Sequence, residues 1–288
     1  MDTGWEHPRT YEYIAHDLPA VIGPITIIKA PLTMVELVLK RGMFPSKRRR
    51  FCTQELKVFP MMRHLADLQD AVGDVINTVG IRHGESKARS KMPEWEWSSG
   101  FDCEVWRPLI RWTEDHVIEI HQRHGLVPNP LYLQGATRVG CWPCIYARKS
   151  EIRLIADIDP SRIDLIRSLE EKVAIAAAYR YAEKGETFES LGYVKPAWFQ
   201  APVSNRTEVE CEHDGPEGYL PQGCPRCNGT GVYVKRSGEP WSIDRVVAWS
   251  RTDYGGKQMR MNELFAASER DAGCMRWGLC DTGATSSD

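Results

Sequence analysis

Asp74-Val75-Ile76-Asn77-Thr78-Val79-Gly80-Ile81, followed at once by Arg82-His83-Gly84-Glu85-Ser86-Lys87-Ala88-Arg89, is the stretch on which the fold turns. β-Branched residues dominate the first half, which reads as a strand; the second half is a polar, arginine-bearing loop at its carboxyl end. Upstream, Ile22-Gly23-Pro24-Ile25-Thr26-Ile27-Ile28 predicts another strand, and downstream Cys103 to Ile110 predicts a third. Helical patterns separate them: Thr10 to Leu18, Leu32 to Arg41 with a stop at Gly42, and Thr53 to Ala71, broken or restarted at Pro60. Thr113 is a good N-cap with Glu114 and Asp115 in the first turn, and Gly125 closes that helix. Ser161 is expected to cap a longer helix to about Lys184, with Ile166, Leu169, Val173, Ala176 and Ala177 on one face. Strands alternating with helices imply an α/β fold, a mostly parallel sheet with flanking helices. From Glu186 onward the texture turns irregular and rich in Gly, Pro and Trp. The expected division is therefore an α/β domain over 1–185 and a cysteine-rich region over 186–288, ending in a small, polar tail from Thr282.

A chain of 288 residues with 42% hydrophobic content can bury one large core or a domain plus an appendage. Its net charge of −2 gives no global argument for binding nucleic acid or membrane. No apolar run approaches the ~20 residues that span a bilayer, and no signal peptide is visible. Nine cysteines, an odd number grouped partly in Cys-x-x-Cys pairs, argue against a secreted disulfide framework and for a reducing, cytoplasmic setting.

Gly140-Cys141-Trp142-Pro143-Cys144 places two thiolates three positions apart, enough to grip a soft metal or an iron–sulfur centre from one turn. A thioredoxin-like dithiol and a structural zinc site are the competing readings. The dithiol needs its first cysteine at a helix start after a strand, and Arg138-Val139-Gly140 is a poor strand. A second constellation is Cys211-x-His213 followed by Cys224-Pro225-Arg226-Cys227-Asn228-Gly229-Thr230-Gly231. Glycines after Cys-Pro-x-Cys let backbone N–H groups approach the sulfurs, so Cys211, Cys224 and Cys227 with His213 read as a zinc-knuckle ligand set. Exchange of ligands with Cys274 and Cys280 is the alternative. Arg82, Ser86 and Arg89 suit sulfate or phosphate oxygens, because guanidinium groups donate in a planar fork. The competing reading is a solvated loop, and the same choice applies to the basic run Lys47-Arg48-Arg49-Arg50. His83, His116, His121 and His124 read as surface or capping residues rather than ligands.

Several segments, in order, resemble the phosphoadenosine-phosphosulfate (PAPS) reductase family of the PP-loop ATP-pyrophosphatase-like superfamily. They are Asp2-Thr3-Gly4-Trp5-Glu6-His7-Pro8-Arg9-Thr10, Cys52-Thr53-Gln54-Glu55-Leu56-Lys57-Val58-Phe59-Pro60, Gly80-Ile81-Arg82 with Glu85-Ser86 and Arg89, and Pro108-Leu109-Ile110-Arg111-Trp112. Asn129-Pro130-Leu131-Tyr132 then leads to Gly135 and the Cys141–Cys144 pair. The resemblance spans roughly residues 1 to 150. It implies a Rossmann-like fold of the adenine nucleotide alpha-hydrolase type and an adenine nucleotide substrate, ATP, APS or PAPS, met by Asp2, Thr3, Gly4, Arg82, Ser86 and Arg89. It also implies a [4Fe–4S] cluster on Cys52, Cys141 and Cys144. Thr53 stands where paired-cysteine members carry a second cysteine, so the fourth ligand falls to Cys274 or Cys280, or one iron stays open. Cys280 has a competing role as the catalytic cysteine that sulfonucleotide reductases carry near the C-terminus, although Gly278-Leu279-Cys280-Asp281 differs from their motif.

The family's first strand and Ser-Gly-Gly-x-Asp-Ser phosphate loop would stand upstream of Asp2, and Gly255-Gly256-Lys257 does not replace them. Three outcomes follow: a fragment, a loop supplied by a partner chain, or a protein that no longer handles nucleotide this way. The functional expectation is sulfonucleotide reduction, with a PP-loop sulfurtransferase modifying a nucleic acid as the alternative. A non-catalytic, metal-stabilised half of a split protein is the reading of another class.

Overall fold

The alternating run at Ile76–Thr78 (β1) forms the edge of a three-stranded sheet with Trp95–Ser98 (β2) and Cys103–Trp106 (β3). The computed structural model describes residues 1–46, 49–188, 195–199, 206–213, 224, 227–236 and 241–252. The order is β1-β3-β2, with β1 parallel to β3 and β2 antiparallel to it, in the registers Thr78↔Trp106 and Trp95↔Trp106. Asn77, Cys103 and Val105 are buried, whereas Ile76, Trp95 and Trp97 stand exposed on the alternate positions. The sheet is thus mixed where a mostly parallel one was expected. The added strand is β2, four residues long, whose alternating tryptophans stand on the exposed face rather than in the core. Its hairpin closes through Phe101 N–H to Ser98 O and a left-handed Asp102, φ 51°.

Among the described residues two compact units form, one from 1–33 and 51–144 and the other from 34–50 and 145–252. In the first, the helix expected over Thr10 to Leu18 is longer: Pro8–Glu12, a π-helical Tyr13–Asp17 and Leu18–Ile22 run without a break. His7 caps it, its Nδ1 accepting from Arg9 N–H at 3.1 Å. The strand expected over Ile22 to Ile28 does not form. Gly23 ends the helix at φ 89°, Pro24 has no N–H to give a ladder, and the segment's pairing among the described residues is an isolated parallel bridge from Asp2 to Lys29. Phe51–Thr53, a π-helical Gln54–Val58 and Phe59–Val72 make a second long helix. Pro60 does not break it, but the regular α-helix restarts at Phe59 with the proline in its first turn, and the wide turn ahead absorbs the missing N–H. Thr113 caps Glu114–Arg123 as expected, with His116 at the third position of the reciprocal capping pair.

The second unit packs Met34–Arg41, Lys149–Ile158 and Ile243–Ser250 around the long helix Pro160–Ala182. Ile163, Ile166, Leu169, Val173 and Ala177 are its buried stripe. Its cap is Asp159 rather than Ser161: Asp159 Oδ1 accepts from Arg162 N–H at 3.1 Å, and the Ser161 hydroxyl only buttresses that carboxylate. Gly42, at φ 56°, lies so close to this helix that a Cβ would stand 3.3 Å from the Ala177 backbone. Arg206–Glu210 (β4) and Val232–Arg236 (β5) form an antiparallel hairpin in the same unit, with Glu210↔Val232 in register. Among the described residues no helix is long and apolar enough to cross a membrane.

Candidate functional site

The turn Asp2–Glu6 and the Cys141–Cys144 turn are laced together. Glu6 bridges Cys141 backbone to backbone, Trp142 N–H donates to Trp5 O at 2.9 Å, and Trp5 Nε1–H donates to Pro143 O at 3.1 Å. Trp5 and Trp142 are buried, so the two turns share one apolar seam. Around it the polar groups converge on carboxylates. Glu6 Oε2 accepts from Thr3 N–H, Trp5 N–H and the Tyr11 hydroxyl at 3.2, 3.1 and 2.8 Å, and Glu6 Oε1 accepts from Thr3 Oγ1 at 2.6 Å. Asp2 Oδ1 accepts from Gly4 N–H and the Tyr11 hydroxyl, and Lys29 Nζ lies 3.3 Å from Asp2 Oδ2. Burial and the two carboxylates push the Tyr11 hydroxyl up, so it stays a donor.

Thr3 Oγ1 also stands 3.6 Å from Cys141 Sγ. Burial pushes the Cys141 thiol up, against the pull of Lys57 and Thr3. Burial likewise raises Cys52, and the Cys141 and Cys144 sulfurs add to it. Cys52, from the first turn of its long helix, is therefore brought into electrostatic range of the Cys141–Cys144 pair, with Lys57 one helical turn further on. A soft metal centre fits such a set, since a cation bound by these sulfurs would displace the protons that burial keeps on Cys52 and Cys141. Cys274 and Cys280 lie outside the described residues, as do Lys47 and Arg48 of the basic run.

Arg82 and Arg89 meet on one carboxylate. Glu85 pairs with Arg89 and lies 3.7 Å from Arg82 Nε, and Ser86 Oγ accepts from Arg89 N–H at 3.2 Å. An anion entering this loop would compete with Glu85 for both guanidinium groups. Of the four histidines read as non-ligands, His116 caps its helix, His83 Nε2 meets Met92 O at 3.0 Å, and His121 Nδ1 meets Val117 O at 2.7 Å.

The hairpin of the second unit carries the other thiol group. Cys211 follows β4 and its N–H donates to Gly231 O at 2.8 Å; Cys224 and Cys227 precede β5 on a turn with Asn228 at φ 48° and Gly229 at φ 82°. The ligand atoms of Cys211, His213, Cys224 and Cys227 lie within 4.8 Å of one another, and this cluster can hold a metal ion. Cys211 Sγ and Cys224 Sγ are 3.8 Å apart, and His213 Nε2 is 3.2 Å from Cys227 Sγ. A tetrahedral ion with metal–sulfur bonds of about 2.3 Å sets sulfurs about 3.8 Å apart, so the spacing suits zinc. Burial and the two neighbouring thiols push Cys211 up to about 11, a proton that a bound cation would displace.

Glu6, Tyr11 and Lys29 are the site residues that motif reading passed over. Thr3-Gly4-Trp5-Glu6 does carry a signal, the Thr-x-x-Glu spacing that lets a carboxylate reach back to the threonine N–H.

This arrangement has a family. Residues 1–147 match the phosphoadenosine phosphosulfate reductase domain, and the chain belongs to that family. Among its relatives is an uncharacterised 37.8 kDa protein of Escherichia phage 186, 32% identical over 222 residues, which are 60% of this chain and 66% of the phage protein. The adenosine 5'-phosphosulfate reductase of Streptomyces coelicolor is 32% identical over 148 residues, 50% of this chain and 59% of that enzyme. The Allochromatium vinosum protein of the same name is 32% identical over 99 residues, 34% of this chain and 36% of its own length. The chain thus spans less than two thirds of the length of each of these relatives.

Proposed function

We propose that this chain reduces a sulfonucleotide, an adenylylated sulfate, and bears an iron–sulfur cluster on Cys52, Cys141 and Cys144. The observation that supports it is the meeting of Cys52 with the Cys141–Cys144 pair beside Lys57 and Thr3, on a chain whose family is named for this chemistry. A bound cluster would supply positive iron sites that polarise a sulfuryl group. Cys274 completes its ligands, or one iron stays open, so that Cys280 is left for the chemistry. Arg82, Ser86 and Arg89 receive the anionic end of the nucleotide, and Asp2, Thr3 and Gly4 line its other side.

The nucleophile on this reading is the Cys280 thiolate. It attacks the sulfur, the bond from sulfur to the nucleotide oxygen breaks, and the nucleoside phosphate leaves; a dithiol reductant then releases sulfite and is itself oxidised to a disulfide. The reducing chemistry requires a reducing, cytoplasmic setting. Zinc occupies the Cys211, His213, Cys224 and Cys227 hairpin as a structural ion. That hairpin lies outside the family match and favours one second reading, a PP-loop sulfurtransferase that uses it to hold a nucleic acid acceptor.

The test is iron, sulfide and zinc content of anaerobically purified protein, followed by sulfite release from APS and from PAPS with a dithiol present. About four irons and one zinc per chain, with sulfite formed, is the expected result. Sulfur incorporated into RNA or DNA without sulfite would favour the sulfurtransferase. Zinc alone, with neither product, would leave a non-catalytic metal scaffold.

A further inference from the structure

The Thr3–Glu6 turn is built around an anion that belongs to the chain itself. Its donors, Thr3 N–H, Trp5 N–H, the Thr3 hydroxyl and the Tyr11 hydroxyl, are of the kind that hold a sulfuryl or phosphoryl oxygen in an anion-binding nest. The first three point at one carboxylate, that of Glu6, at 2.6 to 3.2 Å, and the Tyr11 hydroxyl stands between it and Asp2 at 2.8 and 2.9 Å. Glu6 is 8% exposed, and a carboxylate so placed is tolerable only because these donors replace its water. Asp2 sits on the far side of Tyr11 and adds a second carboxylate to the same turn. An oxyanion approaching here meets two like charges and donors already in use.

We propose that Glu6 is a built-in anion, a positioning residue that fills the donors of this turn and denies it to the sulfuryl or phosphoryl end of the substrate. The anionic end then falls to Arg82 and Arg89. The Asp2 side takes the hydrogen-bond donors of the nucleotide, its hydroxyls or amino group. Glu6 also fixes the turn against Cys141, since the Glu6–Cys141 bridge and the Trp5–Trp142 bond lie on the same seam. The division of the substrate between the two ends rests on the sulfonucleotide reading. The occupancy of the turn by Glu6 does not.

The turn can be read at one atom. Of the ten tryptophans only Trp5 follows a glycine, so labelling glycine carbonyl carbons with ¹³C and tryptophan nitrogens with ¹⁵N leaves a single correlated signal, the Gly4–Trp5 peptide. The full chain is titrated with inorganic phosphate at constant ionic strength, and the signal is read by carbon detection. In the native protein it is expected to stay put, while in Glu6→Ala it moves and saturates as phosphate enters the vacated donors. Glu6→Gln, which keeps the shape without the charge, is expected to show the same shift at higher phosphate, and it carries the test if Glu6→Ala does not fold. A native signal that moves as far as the variants' overturns the proposal, and so does a folded variant whose signal never moves. A merely structural Glu6 would not create a phosphate response. Sulfite release decides the sulfonucleotide reading separately.

Discussion

Tyr11 stands between two carboxylates with one hydroxyl proton to give, and Asp2 shows what that costs and gains. Burial opposes the Asp2 charge, yet the Gly4 N–H, the Tyr11 hydroxyl and Lys29 together outweigh it and hold its carboxyl below the usual range. A depressed carboxyl contributes stability that is complete above its unfolded value of about 3.9 and is lost as pH falls through the lower folded value. Acidification below about pH 4 is therefore expected to weaken the native protein more steeply than Asp2→Asn, measured as urea midpoints across that range. Equal slopes would mean that Asp2 is not held in this way. Gly42 makes a different demand. A side chain there is strained by the left-handed backbone and meets the Ala177 backbone at 3.3 Å. Gly42→Ala is expected to destabilise by about 1–2 kcal/mol in equilibrium unfolding, and a neutral result would show that the loop can move aside.

Glu170 joins three elements of the second unit. From the middle of Pro160–Ala182 it accepts Trp198 N–H at 2.9 Å and Ile243 N–H at 3.0 Å, the latter at the start of Ile243–Ser250. Burial outweighs these two bonds and raises its carboxyl, so its pH dependence runs opposite to that of Asp2. The contribution to stability is fullest below the unfolded value of about 4.3 and declines as pH rises through the higher folded value. Glu170→Ala is expected to lose about 2–4 kcal/mol by stranding two buried N–H groups, and to flatten that decline. Urea midpoints measured from about pH 4 upward check both. Such a link was not legible in the sequence, because a glutamate on a helix looks the same whether it faces water or two distant backbone N–H groups. The stripe Ile166, Leu169, Val173 and the Thr113 cap were legible, since both are set by spacing within one helix. β2 was passed over although its tryptophans alternate with glutamates, because it is only four residues long and its apolar face is the exposed one, and the strand expected at Ile22–Ile28 failed for want of a ladder across Gly23-Pro24. In the candidate site, Cys52, Cys141 and Cys144 could be named from motifs, whereas Glu6 and Tyr11 gain their meaning only once the chain folds back on Asp2.

At the scale of the whole molecule, each compact unit carries its own sulfur group. The first unit holds Cys52, Cys141 and Cys144, and the second holds Cys211, His213, Cys224 and Cys227. The ligand chemistry differs in kind: three cysteines drawn from two segments of a chain in the reductase family, against a Cys₃His hairpin whose 3.8 Å sulfur spacing fits a single tetrahedral ion. If the partition is real, the two metals depend on different residues. Cys141→Ser is expected to abolish iron and labile sulfide while leaving about one zinc per chain. Cys227→Ser is expected to do the reverse, stripping zinc and loosening the β4–β5 hairpin while iron and the visible spectrum persist. Because metal binding to such a hairpin is coupled to its folding, the second variant should also expose the hairpin to limited proteolysis between β4 and β5. Metal analysis and proteolysis of both variants, purified anaerobically, decide the matter. Loss of both metals from either single substitution would mean that the two thiol groups are one system, with Cys274 and Cys280 shared between them.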